Sequence, residues 1–249
     1  MSEKIKGRLF AKLCKKVGYS LKKYELIQPD DNIMIGVSGG KDSLFLLEAL
    51  ADRIKHLPFK VNLMACHIHV TEIGYKIDKA YLEDLCKQYK VPYYYEEISV
   101  DLSSNPKKAP CFVCSWHRRK RLFELTKELK CNKLALGHHL DDALETLMMN
   151  MIYHGSISSM PATLKMFGGR MHLIRPLIEL TNDEMLEIAL EREYPKLKDI
   201  CPYGDDTKRS EVRNLIDIMA NMNQHARKNM FRSMSNFFPE YLPDTDNKH

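Results

Sequence analysis

Ile33-Met34-Ile35-Gly36-Val37-Ser38-Gly39-Gly40-Lys41-Asp42-Ser43-Leu44-Phe45-Leu46-Leu47 decides the fold. An apolar run gives way to a glycine turn and then to an amphipathic segment that continues through Leu50, the order of strand, loop and helix start. The two glycines let the main chain turn tightly and bring its N–H groups against an anion, while the first helical turn adds free donors and a positive dipole end. A phosphate group suits this arrangement. The string is not a Walker loop, because Gly-x-x-x-x-Gly-Lys-Ser/Thr is absent and a carboxylate, Asp42, sits inside the turn. With a strand before it and a helix after it, a chance Ser/Gly turn is the weaker explanation.

Outward from this loop, β-rich runs at 33–37, 61–69, 91–98, 133–137 and 171–177 alternate with helical-period segments near 42–56, 77–90, 114–130 and 139–153. That rhythm predicts an α/β fold, a parallel twisted sheet with helices on both faces and right-handed crossovers. Ahead of it, Leu9, Phe10, Leu13 and Val17 recur at helical spacing, so residues 1–24 are expected to form an N-terminal helix, with the α/β domain at 25–180. Thr181-Asn182-Asp183-Glu184 reads as a helix cap followed by acids. Further helical segments near 206–222 and 224–236 make 181–249 a helical region completing the same domain.

A chain of 249 residues, 44% hydrophobic and 29% charged, is long enough to bury a full core. No apolar run approaches a membrane span, and residues 1–8 lack the apolar centre of a signal peptide, so the expected location is cytoplasmic. In that reducing compartment seven cysteines are not a disulfide scaffold; Cys14, Cys66, Cys86 and Cys131 read as packed small residues, and clustered ones point to metal or redox chemistry. A net charge of +5 does not by itself imply nucleic acid. Local clusters, His117-Arg118-Arg119-Lys120-Arg121 and Arg227-Lys228-Asn229-Met230-Phe231-Arg232, support an RNA partner, although solvated helix faces produce such runs as well.

Two further constellations carry chemistry. Gly137-His138-His139-Leu140-Asp141-Asp142-Ala143-Leu144-Glu145-Thr146 falls where a strand passes into a helix, at the ligand edge of a doubly wound sheet. Adjacent Asp141 and Asp142 point in different directions on a helix, so at most one is expected to face a ligand-bound cation, the other capping the helix; two N-terminal acids that satisfy the helix dipole are the alternative reading. Pro110-Cys111-Phe112-Val113-Cys114 is a Cys-x-x-Cys pair, and Cys201, in a later loop, is placed to join it. Three thiolates can hold a cubane cluster and leave one iron without a protein ligand; zinc, with His117 or water as fourth ligand, is the competing metal. Trp116 and Tyr93-Tyr94-Tyr95 read as packing. Arg175, before Pro176, is divided between phosphate binding and an ion pair at a strand end.

The Ser38 loop and the Gly137–Thr146 string each resemble a motif of the N-type ATP pyrophosphatases, also called the PP-loop or adenine nucleotide alpha hydrolase-like superfamily. From about Leu9 to Asn236 the chain is similar to the tRNA 2-thiocytidine synthetase family (TtcA), within the TtcA/TtuA group of iron–sulfur tRNA thiolases. The similarity rests on Ser38–Ser43, Cys111 and Cys114 followed by Ser115, Arg118 and Arg119, 134–142, Glu145-Thr146-Leu147, Ser159-Met160-Pro161, Ile174-Arg175-Pro176-Leu177 and Cys201. The cysteine-rich zinc modules of TtuA-type enzymes are absent. Gly204 replaces a frequent second cysteine, and the loop from His69 to Tyr75 lacks the usual Leu-Asp-Gln character.

The resemblance implies an ATP-dependent tRNA sulfurtransferase that adenylates the C2 oxygen of a base and replaces it with sulfur carried on a 4Fe–4S cluster, forming 2-thiocytidine at position 32. ATP would lie on Ser38, Gly39, Gly40, Lys41, Asp42 and Ser43, with Gly137 and Asp142 beside it. Asp42 and Asp141 or Asp142 would hold Mg2+, Arg118 would stabilise developing charge, and Cys111, Cys114 and Cys201 would bind the cluster. Implied partners are tRNA, a sulfur donor (a cysteine desulfurase or inorganic sulfide) and a second copy of the chain, with no membrane. The alternatives are a lysidine synthetase-like amine ligase with structural zinc or packed cysteines, and a noncatalytic nucleotide-binding RNA adaptor.

Overall fold

The structure is a computed structural model that describes residues 3–73, 77–103, 109–195 and 207–242. Its strands are β1 (Asn32–Gly36), β2 (Asn62–Val70), β3 (Tyr93–Ile98), β4 (Lys133–Ala135), β5 (Thr163–Met166) and β6 (Met171–Ile174). Its helices are α1 (Glu3–Lys23), α2 (Lys41–Arg53), α3 (Lys79–Gln88), α4 (Pro110–Glu128), α5 (Leu140–His154), α6 (Asn182–Glu191), α7 (Thr207–Met222) and α8 (Ala226–Ser233). The chain divides into two compact units, Met1–His139 with Pro161–Asp205, and Leu140–Met160 with Asp206–His249.

The first unit contains one six-stranded sheet in the order β3-β2-β1-β4-β6-β5. β1 pairs in parallel with β2 and β4, which extend in parallel to β3 and β6; β5 runs antiparallel to β6. Ile33, Met34 and Ile35 of β1 are 0% exposed, the continuous apolar run expected of a strand covered on both faces. Met34 joins Cys66, Ile68, Leu134 and Met171 against Leu125 of α4, while strand alternation turns Ile33 and Ile35 to the opposite face. There α1, α2 and α6 pack on one another, with Phe10 and Phe45 edge to face at 6.0 Å.

β1 is the middle of this order, with β2 on one side and β4 on the other, so successive crossovers leave it in opposite directions. The crevice outside its carboxyl end is the topological switch point at which open α/β sheets bind ligands. Both strands that flank the crevice end in the two motifs read from the sequence.

Two elements depart from the expected boundaries. α4 begins at Pro110, not near 114, because proline at the first helical position loses no hydrogen bond and arrives with a helical φ. The Cys-x-x-Cys pair therefore opens a helix. β5 was not expected at all; its Thr163-Leu164-Lys165-Met166 alternation spans only four residues, the first three of them exposed, so pairing with β6 defines it. By contrast, the Thr181 cap is present as a complete capping box with Glu184.

Glu48 of α2, 1% exposed, is held by Arg192 at 2.7 Å and 3.0 Å and by the Tyr194 hydroxyl. Removing the cation from a buried carboxylate costs about 3–5 kcal/mol, because the remaining charge has neither water nor a counter-ion. Arg192→Met is expected to lower unfolding free energy by roughly that amount, read as a shifted urea midpoint with an unchanged slope. A shift under about 1 kcal/mol would mean that the carboxylate is solvated in the native state.

Candidate functional site

The loop after β1 is built to present main-chain donors. Gly39 has φ 85°, the left-handed region in which a side chain is strained, and Gly40 caps α2 without a side chain. Ser43 closes the turn: its hydroxyl donates to the Gly40 carbonyl at 2.8 Å and accepts from the Ser38 N–H at 3.1 Å. The Ser38 hydroxyl lies 3.2 Å from that of Ser43 and accepts from the Gly40 N–H at 3.3 Å. These bonds fix the loop internally, and the Gly40 carbonyl takes the N–H groups of Ser43 and Leu44, so the helix-start donors without an intrahelical acceptor are those of Lys41 and Asp42.

Gly137, at the end of β4, closes on the same turn. A Cβ placed there would meet the Asp42 carbonyl carbon at 3.0 Å and the Ser43 nitrogen at 3.1 Å, so a side chain would push the two backbones apart by a few tenths of an ångström. The approach brings His139 to Asp42, with Nε2 4.0 Å from Oδ1, while the Lys41 ammonium holds the same carboxylate at 2.9 Å. Ser38 to Ser43, Gly137 and His139 thus form one cluster, and its donor set fits a magnesium-bound polyphosphate: backbone N–H groups, an ammonium and a carboxylate.

Next to the loop lies a cavity of about 290 Å³ whose walls include Val37, Ser38, Ile68, Ser115, Arg118 and His138. Arg118 was expected to act on the reacting group, and it is half-buried in the wall of the cavity that Ser38 also lines. The same helix, α4, carries the thiols. Cys111 is exposed in its first turn, and Cys114 is 5% exposed in an apolar cluster with Val70, Ile73, Val100 and Val113. Cys201, the third expected ligand, lies outside the described residues, and among the described residues no group of three or more His, Cys, Asp and Glu is placed to hold a metal ion. The other four thiols are packed, and burial pushes Cys14, Cys66 and Cys86 up to about 12 and Cys131 up to about 11.

The cationic stretch is not uniform. Arg121 is clamped by Glu96 at 2.9 Å and Glu128 at 2.8 Å, whereas Arg119 and Lys120 are exposed. Trp116 was read as packing, yet it is 49% exposed, a correction that follows from its place on the solvent side of α4. Arg175 is 6% exposed and ties the end of β6 to the Pro161 carbonyl at 2.6 Å.

The second unit holds the acids of the second motif, in the first turn of α5. Asp141 is 7% exposed and accepts from Arg227 of α8 at 2.7 Å; Arg227 also pairs with Asp217. Glu145, 2% exposed, is bound by Arg213 of α7 at 2.7 Å. These pairs anchor α5, and Leu140 and Leu144 pack with Val212 and Ile216 beneath them.

Sequence reasoning passed over His67. Its Nδ1 lies 2.7 Å from the Val37 carbonyl, the last peptide before the loop, and it is 0% exposed. Burial lowers it to about 4, helped by the charge of Arg118, while the bond to Val37 works in the other direction. A neutral imidazole donating from Nδ1 thus fixes the point where the loop leaves β1. The available signal was a pair of histidines, His67 and His69, at alternate positions of an otherwise apolar strand.

This geometry defines an α/β nucleotide-binding domain with a PP-loop. A protein-family model described as "PP-loop domain" matches residues 10–219. The chain is 30% identical over 246 residues to the tRNA-cytidine(32) 2-sulfurtransferase of Geotalea uraniireducens, covering 96% of this chain and 97% of that protein. It is 32% identical to the enzyme of the same name from Pelobacter propionicus over 242 residues, 95% of this chain and 89% of that protein. Among solved structures it is similar to the U34-tRNA thiolase NcsA of Methanococcus maripaludis with its 4Fe–4S cluster, at a TM-score of 0.75 and 27% identity over 92% of this chain and 78% of that one. The chain belongs to the PP-loop domain family, in the branch that contains the tRNA-cytidine(32) 2-sulfurtransferases.

Because the folded pKa of His67 lies below the unfolded value of 6.5, the unfolded chain binds its proton first as pH falls. The stability from keeping this ring neutral is complete above pH 6.5 and is lost toward pH 4, up to about 3 kcal/mol. In urea titrations across that window, His67→Gln is expected to show a shallower loss than the wild type. Parallel pH profiles would contradict a buried neutral imidazole.

Proposed function

We propose that this chain is an ATP-dependent tRNA sulfurtransferase that converts a cytidine of the anticodon loop, at position 32, to 2-thiocytidine. The observation that carries the reading is the shared cavity: α4, whose first two turns bear Cys111 and Cys114, lines with Ser115 and Arg118 the same space that Ser38 lines from the nucleotide loop. The names of the relatives support the reaction and the base.

The chemistry must replace a poor leaving group. The C2 oxygen of the base attacks the α-phosphorus of ATP and pyrophosphate departs; sulfide then adds at C2, and AMP leaves with the oxygen. The N–H groups of Gly39, Lys41 and Asp42, which the loop's own hydrogen bonds do not use, and the dipole of α2 bind the leaving pyrophosphate, and Lys41 offsets its charge. Asp42 serves as a magnesium ligand. The resemblance of the second motif adds Asp141 or Asp142 as a further magnesium ligand. Arg118 holds the reacting base and stabilises negative charge on it. A 4Fe–4S cluster on Cys111, Cys114 and Cys201 would supply an iron without a protein ligand, on which sulfide is carried.

Partners in this reading are tRNA, a cysteine desulfurase or inorganic sulfide as sulfur source, and a second copy of the chain. A cytoplasmic location accords with reduced thiols, and no helix among the described residues is long and apolar enough to cross a membrane.

Asp42→Ala is expected to abolish AMP and pyrophosphate formation while the visible spectrum of the anaerobically assembled cluster is unchanged, since the carboxylate acts on magnesium and not on iron. Retained turnover would remove Asp42 from the site. For the thiols, replacing Cys111, Cys114 or Cys201 with alanine removes one of three protein bonds to the cluster, so iron and acid-labile sulfide should fall together and thiolation stop. Full iron, sulfide and activity in Cys201→Ala would exclude the three-ligand arrangement.

A further inference from the structure

The solvent side of α4 is unlike an ordinary helix surface. Phe112, Ser115, Trp116, Arg119 and Lys120 occur at i, i+3, i+4, i+7 and i+8, which places them on one face, and all five are exposed. Phe112 is 52% and Trp116 49% exposed. Packing does not require these rings here, since Val113, Cys114 and Leu125 supply the buried side of the helix. Lys120 lies over the Trp116 ring, its ammonium 5.6 Å from the centroid, and His117 meets that ring edge-on at 4.8 Å. Flat aromatic faces interleaved with cations suit an unpaired nucleotide: the base stacks on the ring and its phosphates meet the charges. A protein partner is less well matched, because the centres of protein interfaces are depleted in lysine.

We propose that this face of α4 is a stacking platform for an unpaired base of the tRNA loop, with Trp116 as the ring that the base covers and Arg119 and Lys120 as the phosphate contacts. The platform is continuous with the chemistry on both sides. Cys111 sits one turn before Ser115, and Ser115 and Arg119 also line the cavity beside Ser38. A base neighbouring the target nucleotide, held on Trp116, would keep the loop splayed at the mouth of that cavity. The inference rests on the tRNA reading given above.

Trp116 is the one tryptophan among 249 residues, so its emission reports the platform directly. The full chain is titrated with three RNAs: unmodified tRNA carrying cytidine at position 32, its anticodon stem-loop, and a blunt duplex of the same length without a loop. Binding is followed in parallel by anisotropy. Tryptophan emission is expected to be strongly quenched by the first two RNAs and little changed by the duplex. Trp116→Ala should weaken stem-loop binding about 5- to 100-fold and Trp116→Phe far less, as one stacked base predicts. ATP affinity should remain at the wild-type value in both variants. Charge reversal of Arg119 and Lys120 should weaken binding and lower its salt dependence, through fewer released counterions.

Binding of tRNA without quenching, with Trp116→Ala binding equally well, would overturn the platform and leave the sulfurtransferase reading standing. Equal quenching by the duplex would reduce the contact to phosphates and also overturn it. Emission that changes with protein concentration in the absence of RNA would assign the face to a second copy of the chain. No binding of tRNA by any measure would remove both the platform and the reading beneath it.

Discussion

The middle of β1 has no side chain to spare for solvent. Ile33, Met34 and Ile35 are wholly enclosed between two layers of helices, so polar chemistry can enter this strand only at its carboxyl end. Everything functional in the first unit follows from that restriction. The chain leaves β1 through a turn that favours glycine at Gly39, Gly137 two residues beyond β4 lies against the same turn, and His67 reaches from β2 to hold the last peptide before it. An anion bound there meets main-chain dipoles already fixed by Ser38 and Ser43, so little reorganisation is required on binding.

Much of this was legible because it depends on local backbone chemistry. Ser38–Ser43 needs glycine, small hydroxyls and a strand before it, and each requirement leaves a letter in the chain. The β1, α2, β2 rhythm and the Thr181 capping box were legible for the same reason. What escaped depends on contacts distant in sequence. β5 is a strand only because β6 lies beside it, and His67 is significant only because the Val37 carbonyl, thirty residues earlier, is within reach. The start of α4 was misplaced because a proline that breaks helices in their interior favours them at the first position. Cys201 lies outside the described residues, so its pairing with Cys111 and Cys114 rests on the sequence.

Charge was the least legible property. The sequence shows arginines in clusters, but the folded chain sorts them into structural and available groups. Arg121 belongs to Glu96 and Glu128, Arg227 to Asp141 and Asp217, and Arg213 to Glu145. Arg119 and Lys120 remain at the surface, where Lys120 lies 3.9 Å from Glu124 and over the Trp116 ring. A cationic run in a sequence is thus an upper bound on the positive surface presented to a polyanion, and ion pairing decides how much of it survives.

Four thiols, on Cys14, Cys66, Cys86 and Cys131, are raised by burial to about 11 or 12. Iron is bound, and sulfur is attacked, by the thiolate form, which these four scarcely populate at neutral pH. An iron source that meets the folded chain is therefore not offered these side chains as competing ligands, and neither is an oxidant. The hydrophobic core thus withholds four of the seven thiols from metal and oxidant alike by keeping them protonated.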